Sequence, residues 1–333
     1  MFKLAFKKFK TKSISPNLAE VINVDTIEDK KDERLESDNQ NVERLDISNA
    51  RTIQTFPGIK PLCDWRAYKL KNHPGIIIIR DPFTERGRRY WIARCLRDYP
   101  RTPNIVNLNE RLFDDSIRSD WWKQLGQCND SKEFQRIKTA MRWTTFGYHH
   151  NWDTKIYEDQ MQSPFPEDLT SMCQLFAFAL GYDDFKPEAA IVNYYPVGTT
   201  LSGHTDHSEP NKSAPLFSFS FGQTAIFLIG GRTLDEEPSA IFLRCGDVMI
   251  MSEESRLCYH AVPRIIKTEK SWSSLLTNEG FDNADIALNL LDLDLLKKVG
   301  DPQFWQPFSN YIDDSRININ VRQVLNKGDI KLD

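Results

Sequence analysis

The spacing of hydrophobic positions changes character near residue 190. Ahead of it, apolar residues recur at helical intervals. Trp91, Ile92, Cys95 and Leu96, with Thr84 as a cap, predict a helix through Asp98. Leu169, Met172, Leu175, Phe176 and Leu180 predict a buried helix from Glu167, closed by Gly181. From Ala190 the texture becomes β-rich. Short runs cover Ala190–Tyr195, Leu216–Phe221, Ala225–Ile229, Ala240–Arg244, Val248–Met251, Leu257–Val262 and Ile317–Val324. Gly-Gln, Gly-Gly-Arg, Asp-Glu-Glu-Pro and Cys-Gly-Asp turns separate several of them. Closely spaced short strands of this kind indicate a barrel or jelly roll, not a parallel sheet. One further strand, Ile76–Ile79, is framed by Pro74-Gly75 and Asp81-Pro82.

The termini and one interior stretch depart from these patterns. Residues 1–13 alternate Phe2, Leu4, Phe6 and Phe9 with five lysines and carry no acid. Three readings stand open: a helix docked by its apolar face, a mitochondrial transit peptide, or a basic arm that touches phosphates. Ile27–Asp46 is dense in charge and poor in aromatics, so it reads as exposed linker, with order beginning near Phe56-Pro57-Gly58. Lys267–Ser315 interrupts the strands with Leu- and Asp-rich, helical sequence. The expected division is residues 1–55 as basic arm and charged linker, 56–165 as an N-terminal extension, and 166–333 as the strand-rich core carrying a 267–315 insertion.

Composition narrows the class without naming a function. The chain has 333 residues, 40% of them hydrophobic, and a net charge of -4. That is enough for a sizeable core and gives no general attraction to nucleic acid, so any such binding rests on local patches. One such patch is the 84–98 helix, with Arg86, Arg88, Arg89, Arg94 and Arg97; it is read either as a solvated face or as a phosphate contact. No apolar run is long enough to span a bilayer, and no membrane partner is expected. The six cysteines form no C-x-x-C pair and follow no secretory signal. Reduced thiols in an intracellular protein are expected, with mitochondrial, nuclear and cytoplasmic compartments left open.

The candidate chemistry lies among the strands. His204 and Asp206 stand at i and i+2, on one side of an extended segment, and His260 ends a later strand-like run. Two imidazoles and a carboxylate cover one face of an octahedron and leave three positions open, the arrangement of non-haem Fe(II) oxygenases. Zinc accepts the same donors, typically at lower coordination number. Arg316-Ile317-Asn318-Ile319-Asn320-Val321-Arg322 alternates as a strand with an arginine at each end. Such an iron site needs an electron-donating co-substrate, and an arginine fork can grip the carboxylate of 2-oxoglutarate in bidentate fashion.

Asn193-x-Tyr195-x-x-Gly198, His204-x-Asp206, Tyr259-His260 and Arg316-x-Asn318-x-x-x-Arg322, taken together, resemble the AlkB family of Fe(II)- and 2-oxoglutarate-dependent dioxygenases. The resemblance runs from about Pro74 to Leu325. Pro215–Gln223, Gly246–Ser252 and His260–Arg264 look most like its AlkB homologue 1 subfamily. It implies an α+β fold with a double-stranded β-helix (jelly-roll) core, N-terminal helices and a nucleotide-recognition lid within residues 56–165. It implies His204, Asp206 and His260 as the catalytic iron ligands. Asn193, Tyr195, Arg316 and Asn318 would contact 2-oxoglutarate, with Arg322 beside the site near the co-substrate. Trp143 matches the lid aromatic that stacks on the substrate base; Tyr148, His207 and Glu209 are further substrate candidates. Ser208 stands where the bacterial repair enzyme has a base-reading acid, and the insertion after His260 is a second departure, so the base is left open.

The implied cofactors are Fe(II), 2-oxoglutarate as co-substrate, and O2. The implied reaction is oxidation of a methylated base, in tRNA first (N1-methyladenosine or 5-methylcytosine) and then N6-methyladenine in unpaired or flipped-base DNA, by a monomer. A protein hydroxylase or demethylase on the same iron core is the alternative, since fold does not fix substrate. A non-catalytic binding protein is the third reading, and the intact ligand set weighs against it.

Overall fold

The computed structural model describes residues 1–11, 18–27, 41–47, 56–268, 272 and 291–332. Its centre is two antiparallel sheets packed face to face. The larger has ten strands: β1 (Val42–Leu45), β2 (Arg66–Leu70), β3 (Ile76–Arg80), β4 (Ile105–Val106), β5 (Trp143–His150), β6 (Tyr157–Ser163), β7 (Ala189–Pro196), β9 (Leu216–Gly222), β12 (Val248–Met251) and β14 (Ser315–Arg322). Their order is β1-β2-β3-β12-β9-β14-β7-β5-β4, with β6 on β5. The smaller sheet, in the order β11-β10-β13-β8, joins β8 (Leu201–His204), β10 (Thr224–Ile229), β11 (Ser239–Leu243) and β13 (His260–Ile266). This is the expected jelly-roll core.

Period-two patterning explains the layers. In β9, Phe217 and Phe219 join the helical side of the large sheet, with Phe221, while Leu216 packs between the sheets and Ser218 and Ser220 face the same way. In β14, Ile317, Ile319 and Val321 join the helical side, which leaves Arg316, Asn318, Asn320 and Arg322 on the inner face. The strand therefore carries polar chemistry inside and hydrophobic anchorage outside. Tyr195, Met249, Met251, Phe227 and Val262 complete the core between the sheets.

Helices cover the outer face of the large sheet. Helix α2 (Glu85–Ala93) is capped by Thr84, whose hydroxyl accepts from Gly87 N at 3.1 Å, and it runs on through a π turn to Asp98. Short helices α3 (Asp115–Ser119), α4 (Trp121–Gln127) and α5 (Ser131–Ala140) follow. Helix α6 (Glu167–Ala179) ends before Gly181, whose φ of +82° suits the expected glycine stop. Within the insertion, α7 (Leu293–Lys298) and α8 (Pro302–Ile312) pack against α2. Residues 269–271 and 273–290 of the insertion, and 28–40 of the expected linker, lie outside the described residues. No helix among the described residues is long and apolar enough to cross a membrane.

One open sequence reading is decided and two expectations change. The first segment is a docked helix, α1 (Phe2–Lys10), with Phe2 and Phe9 buried on the outer face of the small sheet. Val42–Leu45, expected to be linker, pairs with β2 and buries Val42 beneath the sheet edge. The arginine-rich helix is neither a solvated face nor a phosphate contact. Arg88 pairs with Asp81, Arg94 with Asp168, and Arg97 with Asp292. Arg86 donates to Leu296 O, and buried Arg89 lies 4.8 Å over the Trp305 ring. These cations bind the insertion helices and the interior, partners that local sequence does not reveal.

Candidate metal and co-substrate centre

Cross-strand pairing brings the two histidines together. His204 ends β8 directly opposite His260, the first residue of β13, and their rings stand 4.3 Å apart. Asp206 lies just beyond the strand end. Candidate ligand atoms of the three side chains all fall within 4.8 Å of one another. His204 Nε2 is 3.8 Å from Asp206 Oδ1, and His260 Nε2 is 4.0 Å from Oδ2. These three side chains would hold a divalent ion on one face and leave the remaining positions open.

Backbone carbonyls fix the imidazoles. His204 Nδ1 lies 2.9 Å from Ser202 O and His260 Nδ1 lies 3.2 Å from Cys258 O. A carbonyl only accepts, which assigns the proton to each Nδ1 and leaves each Nε2 lone pair free for a metal. Burial, assisted by His204, lowers the His260 pKa to about 4, so the ring is neutral at pH 7. Burial alone would raise the Asp206 pKa. The Arg322 guanidinium and the two imidazoles outweigh it and hold the carboxyl well below the usual range, hence ionised.

From this triad a narrow cleft runs between the sheets to Arg316, past Tyr195, Ser218, Met249, Val262 and Asn318. Arg316 is 2% exposed. Its Nη2 donates to Ser220 Oγ at 2.9 Å, and its Nε has no partner among the described residues. No carboxylate pairs with it there, and burial pushes its pKa down to about 10. A buried guanidinium lacking a counter-charge is costly, and a ligand carboxylate is its natural complement. Asn318 donates to Ser218 Oγ at 2.8 Å and faces Asn193 across the β14–β7 pair. The two Nε2 atoms facing Asp206, the ionised carboxylate and an Arg316 whose Nε has no partner among the described residues fit Fe(II) with 2-oxoglutarate.

A second cavity of about 680 Å³ opens on the other side of the triad. That is room for a nucleoside-sized ligand. Asn193, His204, Asp206, His207, Ser208, Glu209 and Arg322 line it, together with His150, Trp152, Lys155, Tyr157 and Tyr259. His207 is exposed, its Nδ1 2.8 Å from Thr205 Oγ1. Ser208 Oγ lies 3.0 Å from His150 Nε2. Glu209 is buried, accepting from Tyr157 Oη at 2.9 Å and pairing with Arg256 at 3.0 Å and Arg322 at 3.1 Å. Arg322 Nη2 also donates to Asp206 Oδ2 at 2.7 Å.

Two candidates sit apart. Trp143, opposite Asn193 in register, stands behind Trp152 with ring centroids 5.2 Å apart and does not line the cavity. Tyr148 donates to Asp159 at 3.2 Å and packs with Val324 and Leu325, away from the cavity. Sequence reasoning missed His150, Trp152, Lys155, Tyr157 and Tyr259. The available signal was Gly147. Its φ is +70°, and a Cβ there would lie 2.1 Å from Glu188 O. A glycine held this way inside a strand marks a bulge, and the register does shift between Tyr148 and His150.

Comparison with known proteins agrees with this geometry. Residues 75–322 match the 2OG-Fe(II) oxygenase superfamily. The chain is 40% identical to the human (Homo sapiens) nucleic acid dioxygenase ALKBH1, covering 85% of this chain and 72% of that protein. It is 32% identical to the DNA N(6)-methyladenine demethylase ALKBH1A of Arabidopsis thaliana, covering 77% and 76%. To the tRNA demethylase abh1 of Schizosaccharomyces pombe it is 31% identical, covering 80% and 83%. A match across most of the chain, with the three metal donors convergent inside it, makes this protein a member of the 2OG-Fe(II) oxygenases, in the ALKBH1 subfamily of the AlkB family.

Proposed function

We propose that the protein is an Fe(II)- and 2-oxoglutarate-dependent oxidative demethylase of methylated nucleobases. Its first substrate is tRNA carrying N1-methyladenosine or 5-methylcytosine, and its second is N6-methyladenine in unpaired DNA. The observation that carries this reading is the 680 Å³ cavity, which places an aromatic wall against the His204, Asp206 and His260 triad. The relatives named above act on nucleic acid by their names, and the protein-hydroxylase alternative has no counterpart among them.

His204, Asp206 and His260 hold the metal. Arg316 takes the distal carboxylate of 2-oxoglutarate in its fork, and Tyr195 and Asn318 line its cleft, with Asn193 at the mouth. Bound Fe(II), 2-oxoglutarate and O2 supply the oxidation, in which the co-substrate is decarboxylated to succinate and the methyl C–H is hydroxylated. A hydroxymethyl on nitrogen then leaves as formaldehyde, whereas one on carbon stays. Trp152, with Trp143 behind it, offers the stacking face, and His150 and Tyr157 close the sides. A paired base cannot reach the triad, so it must be looped or flipped.

The lid lies within residues 56–165, which also lend β2 and β3 to the large sheet; 166–333 supply the rest of the oxidising core with its 267–315 insertion, and 1–55 add α1 and β1 at its edges. One copy of the chain supplies all of these groups, and the monomer is the proposed working unit. Mass spectrometry of tRNA and DNA nucleosides, before and after incubation with enzyme, Fe(II), ascorbate and 2-oxoglutarate, tests the reading. Loss of a methylated nucleoside is expected, faster in a hairpin loop than in paired duplex. Succinate formation stimulated by peptides and not by RNA or DNA overturns it.

A further inference from the structure

Arg256 belongs to the short 3-10 turn Glu253–Leu257, just ahead of the strand that begins with His260. It is 1% exposed and spends all three guanidinium nitrogens on one loop. Nη1 donates to Asp206 O at 2.6 Å, Nη2 to Glu209 Oε2 at 3.0 Å, and Nε to Ala214 O at 3.1 Å. Glu209 is held from the other side by Tyr157 Oη and Arg322 Nε, and Arg322 returns to Asp206 Oδ2. Glu209 Oε1 thus takes two donors and Oε2 takes Arg256, so the carboxylate is oriented by three protein groups.

We propose that Arg256 and Glu209 are positioning residues that clamp the metal-binding carboxylate of Asp206 against the strand bearing His260. The proposal rests on the iron reading of the triad. Two points of support are geometric. Arg256 fixes the Asp206 backbone while Arg322 fixes its side chain, so the carboxylate is held at both ends. The three Arg256 bonds also tie the loop 206–214 to the segment that leads into His260, so donors distant in sequence keep one spacing. The third point is charge. Asp206 and Glu209 balance Arg256 and Arg322, and removing one member leaves a buried charge uncompensated beside the metal. Lysine keeps the charge of Arg256 but cannot reproduce a planar fork with three directional bonds.

The test uses the full chain with 2-oxoglutarate and Co(II) as a spectroscopic probe in place of iron. Arg256→Lys and Glu209→Gln are each expected to weaken Co(II) binding roughly 10–100-fold, the usual effect of removing a group that orients a ligand. Both should also alter the visible Co(II) absorption bands, while the Fe(II)-loaded variants keep a KM for 2-oxoglutarate close to wild type. Arg256→Met should weaken binding as well, although it removes a positive charge near the metal. Tighter Co(II) binding in Arg256→Met, or wild-type affinity and spectrum in Arg256→Lys, overturns the proposal. If Arg256→Lys does not fold, Glu209→Gln decides: it changes a charge and almost no volume. Wild-type Co(II) affinity with a raised KM for a methylated oligonucleotide would return Glu209 to substrate recognition and overturn the clamp. If the wild-type enzyme oxidises no methylated oligonucleotide while the Co(II) affinities shift as expected, the clamp stands and the substrate reading falls.

Discussion

The two ends of β14 hold the same side chain in opposite circumstances. Arg316 and Arg322 are six residues apart, roughly 20 Å along an extended strand, and both point inward and are almost fully buried. Arg322 is paired with Asp206 and Glu209, and those carboxylates outweigh burial to raise its pKa. Among the described residues Arg316 hydrogen-bonds only to a serine hydroxyl and a distant carbonyl, and burial lowers its pKa to about 10 although the more distant Asp247 charge opposes it. The protein therefore supplies counter-charges to one arginine from within, although its Nη1 has no partner among the described residues, and gives the other no paired carboxylate among them. A bare sequence pattern with two arginines does not distinguish them; the partners across the sheet do.

The harshest way to break this contrast is Asp206→Ala. It removes a metal donor and strips Arg322 of one partner, so metal binding and 2-oxoglutarate decarboxylation should both fall to background. Wild-type turnover in this variant would move the metal site elsewhere. Next comes a double dissociation. Arg316→Lys should raise the KM for 2-oxoglutarate roughly 10–100-fold, as expected for losing charge-assisted bonds of about 1.5–3 kcal/mol, while metal affinity holds. Arg322→Gln should do the reverse, weakening metal binding by roughly 10–100-fold with a smaller change in the KM for 2-oxoglutarate. If both variants damage the same parameter, the two ends are not functionally distinct.

Ligand addition sharpens the contrast further. At about 100 times its Kd, 2-oxoglutarate contributes roughly 2.7 kcal/mol of stability to a state that binds it. The wild-type melting temperature should rise by several degrees, and by much less at the same concentration in Arg316→Lys. An equal rise in both would place the carboxylate grip on another residue. The aromatic wall lies at the Arg322 end. Trp152→Ala should therefore raise the KM for a looped methylated oligonucleotide by the equivalent of about 1–3 kcal/mol of lost stacking, with uncoupled decarboxylation intact. Trp143→Ala acts from behind Trp152 and should have the smaller effect. A larger loss in Trp143→Ala would mean that the free structure does not show the ring that meets the base.

How far these features were legible depends on the range of the interaction. The alternation of β14, the Thr84 cap and the Gly181 stop are local and could be read directly. The His204, Asp206 and His260 set was legible because each metal donor type is restrictive. Arg256 was not, because its meaning comes from a carbonyl and a carboxylate 50 and 47 positions away. The arginines of α2 misled for the same reason: charge on a helix reads as surface until Asp168 and the carbonyls of the insertion helices are in place. Trp152 was visible as one aromatic among several, and only the bulge after Gly147 sets it apart from Trp143.

Phe2 has a practical consequence for handling the protein. Its ring fills the space that a Cβ on Gly203 or Gly230 would enter, at 2.9 Å and 2.7 Å, so the opening turn of the chain rests against the residue preceding His204. Burying a phenylalanine there is worth roughly 1.5–3 kcal/mol. Trimming the first ten residues to tidy a preparation is thus expected to withdraw a prop from the metal-binding strand. It should lower the melting temperature of the metal-free protein, and a tag on the opposite terminus is the safer choice for purification.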